Sequence, residues 1–253
     1  MRRALSVLLL LLSVPQPASP WPAETMAALS RDARKLLPRS LSRLLGERES
    51  FVLDETRRFP PELARALAQD LPSGRLRPET LDALAAHADA AFRLLKAGQA
   101  SEGLVRLGGL LRIPADLSDP VLAVGPEGWP AGLTREYYAL FAANLGKMPV
   151  VLDDRAALKL TRKELPALWQ SLVERSRAQV PVMQEALFVN VRVVDHRRLD
   201  YRSPAWAVSS LAYSRAVTGT AATWLAVWRE ANGDTTRMPA AREVVPQAHP
   251  EAP

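Results

Sequence analysis

Leu107-Gly108-Gly109-Leu110-Leu111-Arg112-Ile113-Pro114-Ala115-Asp116-Leu117-Ser118-Asp119-Pro120-Val121-Leu122 is the stretch on which the reading of this chain turns. Its first half continues a helical pattern over Glu102–Arg112, with Leu104, Leu107, Gly108 and Leu111 on one side. Pro114 then kinks the helix, because its ring blocks a backbone hydrogen bond. Arg112 and Asp116 stand four apart, so on a helix they share a face. They either pair with each other or both point to solvent around the Pro114 bend. As a source of metal ligands, the stretch is read as offering one carboxylate, Asp116, and no histidine.

Outward from this stretch the chain reads as helix after helix. Met26, Leu29, Ala33, Leu36, Leu37, Leu41, Leu44 and Leu45 step by three or four residues, and Pro38 divides that run into two helices. Pro60-Pro61 opens a short helix through Gln69, with proline in its permitted first turn. Pro78–Ala97 is a helix whose face carries Leu81, Leu84, Ala88, Phe92 and Leu95, with Gly98 at its C-terminal stop. Leu122–Leu133 is a Gly/Pro loop holding Trp129, followed by helices over Arg135–Leu145 and most of Leu158–Ala178. Phe188–Val194 is the only segment with strand character, read as half of a small hairpin. Ala205–Trp228 is a long helix with one charge, Arg215. Its apolar length invites a membrane-spanning reading, but its many small and hydroxyl side chains favour a closely packed helix inside a bundle. The fold class expected is therefore all-α, a helical bundle with one small β-hairpin.

The chain has 253 residues and no cysteine, so neither a disulfide frame nor a lipid-anchoring cysteine is available. Met1-Arg2-Arg3, the apolar run Ala4–Val14 and the breaker-rich Pro15–Pro20 read as an export signal, which implies a periplasmic or secreted protein. Residues 21–231 form the expected helical domain, and 232–253, polar and rich in Pro and Ala, a disordered tail. The formal net charge is +6, carried by 33 basic residues interspersed with 27 acidic ones. A nucleic-acid partner would need a clustered basic patch, and none stands out, so none is expected. A membrane-surface role stays open.

Several motifs together resemble the zinc-dependent phospholipase C family and its relatives, the single-strand nucleases. Trp21 follows the signal segment as Trp begins the mature chain in that family, and Trp21-Pro22-Ala23-Glu24-Thr25-Met26 with Leu36-Leu37-Pro38 parallels its opening helix. The family's central Leu-Gly, His-x-x-x-Asp, Pro-x-His pattern aligns with Leu107–Leu122. Its next helix opens Pro-x-Gly-x-His-x-x-Tyr-Glu, matched by Pro130-Ala131-Gly132-Leu133-Thr134-Arg135-Glu136-Tyr137-Tyr138. The match covers about Trp21–Leu145, with the long terminal helix closing the bundle.

The resemblance implies a cluster of zinc ions inside the bundle, yet the ligand positions are altered. They hold Trp21, Met26, Arg112, Asp116, Leu122, Thr134 and Tyr138, of which only Asp116 and a terminal amine on Trp21 offer metal donors. A zinc ion takes about three or four protein ligands. The expectation is a scaffold without the zinc cluster or any cofactor, monomeric or weakly oligomeric. Its role would be structural, or the binding of an anionic or lipid-like ligand. The alternative is a hydrolase of phosphodiesters or phospholipids with a rearranged or reduced zinc site.

Of three histidines, His249 lies in the tail and His87 beside an apolar helix stripe. His196 belongs to the densest polar run, Asp195-His196-Arg197-Arg198-Leu199-Asp200-Tyr201-Arg202-Ser203. His196, Arg197, Arg198 and Arg202 are candidates for an anion pocket, set against a solvated, salt-bridged loop. No Gly-x-Ser-x-Gly elbow supports a serine nucleophile. Trp224 and Trp228, four apart, read as core packing.

Overall fold

The structure, a computed structural model, describes residues 21–125, 128–130, 132–152, 155–190 and 192–238. Residues 1–20, expected to be an export signal, and residues 239–253 of the expected tail lie outside the described residues. The helices in chain order are α1 (Ala23–Arg34), α2 (Arg39–Gly46), α3 (Glu49–Arg57), α4 (Pro61–Asp70), α5 (Pro78–Lys96), α6 (Ala100–Gly109), α7 (Arg112–Leu117), α8 (Leu133–Asn144), α9 (Leu165–Leu187) and α10 (Pro204–Glu230). A two-stranded antiparallel hairpin, β1 (Phe188–Val189) and β2 (Arg192–Val193), joins α9 to the loop before α10. The chain is thus all-α with one small hairpin.

Leu37 and Pro38 separate α1 from α2, since a residue before proline avoids helical geometry. Prolines at the first turns of α4, α5, α9 and α10 sit where the missing N–H costs nothing. Phe188–Val194 holds both strands rather than half a hairpin, because Asn190 takes a left-handed φ of 50° and turns the chain inside the segment.

The long helix α10 runs through the middle, packed against α1, α5, α7 and α9. Almost every residue from Val208 to Val227 is buried. Among its hydroxyls, Ser214 Oγ accepts from the Val151 N–H at 3.0 Å and donates to the Pro149 carbonyl at 3.1 Å. Gly219 is what lets α7 close on it. A Cβ there would lie 3.0 Å from the Pro114 ring and from Leu172 Cδ1. A similar close approach seats α6 on α3, where a Cβ on Gly108 would meet Val52 Cγ2 at 2.4 Å. No helix among the described residues is long and apolar enough to cross a membrane.

The tail reading begins at Asn232, and residues 232–238 are described. The Asp234 carbonyl accepts hydrogen bonds from Ser40 Oγ at 3.1 Å and Trp228 Nε1 at 2.9 Å.

Candidate functional site

The helix expected through Arg112 ends at Gly109, and after a turn at Leu110 and Leu111 a short new helix, α7, begins. Pro114 sits in its first turn. The break lets α7 reorient, and the whole of Arg112–Leu117 is buried between α9 and α10. The segment is therefore in the interior, and its polar side chains need internal partners.

Arg112 and Asp116 take each other. Arg112 Nε donates to Asp116 Oδ2 at 2.6 Å, with the two side chains 5% and 4% exposed. The Arg112 guanidinium also lies 5.3 Å from the centroid of the Phe59 ring, a cation–π contact. Burial raises the Asp116 pKa, and the charge and hydrogen bond of Arg112 oppose that rise. The alternative of two solvated side chains around the proline bend is overturned by this burial.

Three residues further on, Asp119 corrects the reading of Leu107–Leu122 as offering one carboxylate. It is 1% exposed. Its Oδ1 accepts the Val121 N–H at 2.9 Å, and its Oδ2 accepts the Tyr138 hydroxyl at 2.6 Å. Burial pushes its pKa up to about 7 despite the Tyr138 and backbone hydrogen bonds, which lower it. Tyr138 and the buried Tyr137 are raised well above the usual phenol value, first by burial and then by the Asp119 charge.

Trp21 closes the arrangement. Its indole N–H donates to the Ala115 carbonyl at 3.0 Å, and its ring meets Tyr138 edge-on at 6.1 Å and Phe141 at 4.7 Å. Of the positions singled out by the family pattern, the fold thus brings Trp21, Arg112, Asp116 and Tyr138 to one interior cluster. Met26 is buried and lines, with Trp21, Ala23, Leu53, Thr56 and Arg57, a cavity of about 200 Å³. Leu122 packs partly buried against the core, and Thr134 is exposed on the first turn of α8.

These residues do not fit a zinc cluster. Of the two carboxylates in the cluster, Asp116 has an oxygen on Arg112, whose fixed positive charge repels a cation, and Asp119 has its oxygens on the Val121 N–H and the Tyr138 hydroxyl. Tyr138 donates its proton to Asp119 and holds it far above neutrality, so it offers no phenolate. Leu122 has no donor atom, and Thr134 faces solvent.

The polar run at Asp195–Ser203 is arranged differently from an anion pocket. His196 turns toward acid: its Nδ1 lies 2.9 Å from Glu136 Oε2 and 3.5 Å from Asp195 Oδ1. Glu136 also accepts the His196 backbone N–H at 3.1 Å and the Arg135 guanidinium at 2.9 Å. The two His196 contacts first, and Arg135 after them, hold the Glu136 carboxyl down at about 2. Arg197, Arg198 and Arg202 are exposed, and Arg202 lies over the Tyr201 ring at 5.3 Å. Two carboxylates at the imidazole repel an anion from it.

His87 packs edge-on against Phe59 at 5.7 Å, and burial with the Arg106 charge lowers its pKa to about 4. It is a neutral packing residue. Trp224 is fully buried, as its spacing with Trp228 suggested. Asp119 and Glu136 are the participants that the sequence reading did not select. The carboxylate beside a proline in an apolar run was the only signal for Asp119.

Comparison with protein-family models, with curated proteins and with solved structures finds no match to this chain.

Proposed function

We propose that this chain is an exported, non-catalytic domain on a phospholipase C-like frame, in which an internal ion pair stands where relatives of that frame hold zinc. The observation that carries the reading is the Arg112–Asp116 contact of 2.6 Å, sealed at 5% exposure or less. A guanidinium there supplies the positive charge that Asp116 needs and leaves no donor set for a metal. The role that remains is structural or binding. The cavity beside Trp21 supports binding of a small anionic, lipid-like group: Trp21, Met26 and Leu53 give it apolar walls, and Arg57, ion-paired with Asp54 at 2.7 Å, is the cation that such a group would share.

The test uses purified full chain. Metal content is measured after dialysis against a chelator, and a generic phosphodiester is assayed with and without added zinc. Short-chain phosphatidic acid below its micelle concentration is then titrated against tryptophan fluorescence. The expected result is no chelator-sensitive turnover and a saturable fluorescence change weakened by Arg57→Ala. Turnover that needs zinc and disappears in Asp116→Asn would overturn the reading in favour of the second one, a phosphodiester or phospholipid hydrolase with a rearranged metal site.

A further inference from the structure

We propose that Glu136, Asp195 and His196 form a binding site for one divalent ion of the zinc class, bridging α8 to the loop that leads into α10. One ligand atom from each residue lies within 4.8 Å of the other two. The Nδ1 of His196 is 2.9 Å from Glu136 Oε2 and 3.5 Å from Asp195 Oδ1. A tetrahedral zinc with bonds of about 2.0–2.2 Å has ligand-to-ligand edges of roughly 3.3–3.6 Å. The His196–Asp195 edge already falls in that range, the His196–Glu136 edge would lengthen by about half an ångström, and the Glu136–Asp195 edge, within 4.8 Å, is the one that would close as the ion enters.

The surroundings are those of a built site. Arg135 holds the other Glu136 oxygen, Oε1, at 2.9 Å and leaves Oε2 turned to the imidazole. The His196 backbone N–H at 3.1 Å orients the same carboxylate, as outer contacts orient metal ligands elsewhere. Asp195 is fixed through the same oxygen that faces the imidazole, since its Oδ1 caps the short turn at His196–Arg198 by accepting the Arg197 N–H at 2.9 Å and keeps a further lone pair for an ion. The Glu136 side chain is 12% exposed and that of Asp195 50%, so the site has a buried floor and an open mouth for a water ligand. Two carboxylates and a neutral imidazole balance the charge of a divalent ion. Arg135 and the exposed Arg197 and Arg198 are the cations that oppose it. Without the ion, a proton on Nδ1 takes its place in the Glu136 contact.

This site is separate from the Arg112–Asp116 interior, so the two readings fail separately. Full-length protein is stripped with chelator and titrated with zinc chloride by calorimetry, with cobalt absorption as a second readout. The expected result is one ion per chain, with affinity reduced more than about tenfold in His196→Ala and in Asp195→Asn. Asp116→Asn leaves it unchanged. Asp195→Asn alters an exposed side chain and keeps the test open if His196→Ala misfolds, with far-ultraviolet dichroism as the check. Absence of binding at millimolar zinc, or equal affinity in wild type and both variants, overturns the proposal. An ion lost only in Asp116→Asn would overturn both this site and the non-catalytic reading.

Discussion

Asp119 and Glu136 are carboxylates on neighbouring parts of the molecule, one in the interior after α7 and one at the rim on α8, and they have opposite acidities. Asp119 is pushed up to about 7, and Glu136 is held at about 2. Both accept good hydrogen bonds, so the difference lies in water. Around Asp119 burial is the largest influence and outweighs the Tyr138 and backbone donors. Around Glu136 the His196 contacts come first and outweigh the burial that opposes them. A dry site makes a carboxylate seek a proton or a cation, and a wet site lets it remain charged beside its donors. The same chain therefore answers the buried Asp116 with the Arg112 charge, while at the rim Glu136 and Asp195, 12% and 50% exposed, face His196.

The sharpest way to break this contrast is Arg112→Ala. It leaves Asp116 buried without a countercharge and should cost about 3–5 kcal/mol at pH 7 by urea unfolding. The loss should shrink at acid pH, where Asp116 takes up a proton. An apolar double replacement, Arg112→Met with Asp116→Leu, should restore most of the stability. A single variant as stable as wild type at pH 7 would mean that the pair is not buried as described.

The next effect is a pH slope. Between the ordinary aspartate value of 3.8 and about 7, folded Asp119 keeps a proton that the unfolded chain has released. Its contribution to stability therefore falls as pH rises through that window and levels off above it, by about 1.4 kcal/mol for each unit of displacement. In melting temperature, Asp119→Asn should remove this falling contribution and leave the rise that His87 gives between about 4 and 6.5. Glu136 has the opposite sign: its contribution is present above the ordinary 4.5 and is lost as pH falls toward about 2. His87, lowered to about 4, gives a slope opposite in sign to that of Asp119 between about 4 and 6.5, so the check is the difference between the two proteins: identical pH profiles for wild type and Asp119→Asn from pH 4 to 7 would contradict the buried setting of Asp119.

Tyr138→Phe sharpens the comparison by removing the hydroxyl from Asp119 Oδ2. The expected cost is about 1–3 kcal/mol, with the Asp119 slope extended to higher pH. The smallest effect belongs to the rim. His196→Ala in metal-free protein should cost about 1 kcal/mol or less, because its partners can be resolvated. Its signature is instead the lost response of the melting temperature to zinc. Equal penalties for Tyr138→Phe and His196→Ala in metal-free protein would remove the distinction between dry and wet sites.

How far the site was legible follows from the range of each interaction. The Arg112–Asp116 pair was readable as a possibility because four residues on a helix share a face. Its burial was not, since that depends on Gly219 of α10 leaving room for Pro114. The partner of Asp119 is 19 residues away, and that of His196 is 60 away. No spacing rule connects such pairs. Helix α3 also escaped the periodicity reading, because only Val52 and Thr56 of its nine residues are buried.

By itself the sequence determined the helical class, most helix positions, the proline-set boundaries and the absence of a metal donor at Met26, Arg112 and Leu122. Those are local properties: residue chemistry, apolar period and backbone restriction act within a few turns. Only the tertiary structure decided which polar groups are dry. It sealed Arg112, Asp116 and Asp119 beneath Trp21 and Tyr138, and it left His196 facing two carboxylates at the rim. Desolvation depends on every element packed around a group, and for that reason it cannot be read from the group's neighbours in the chain.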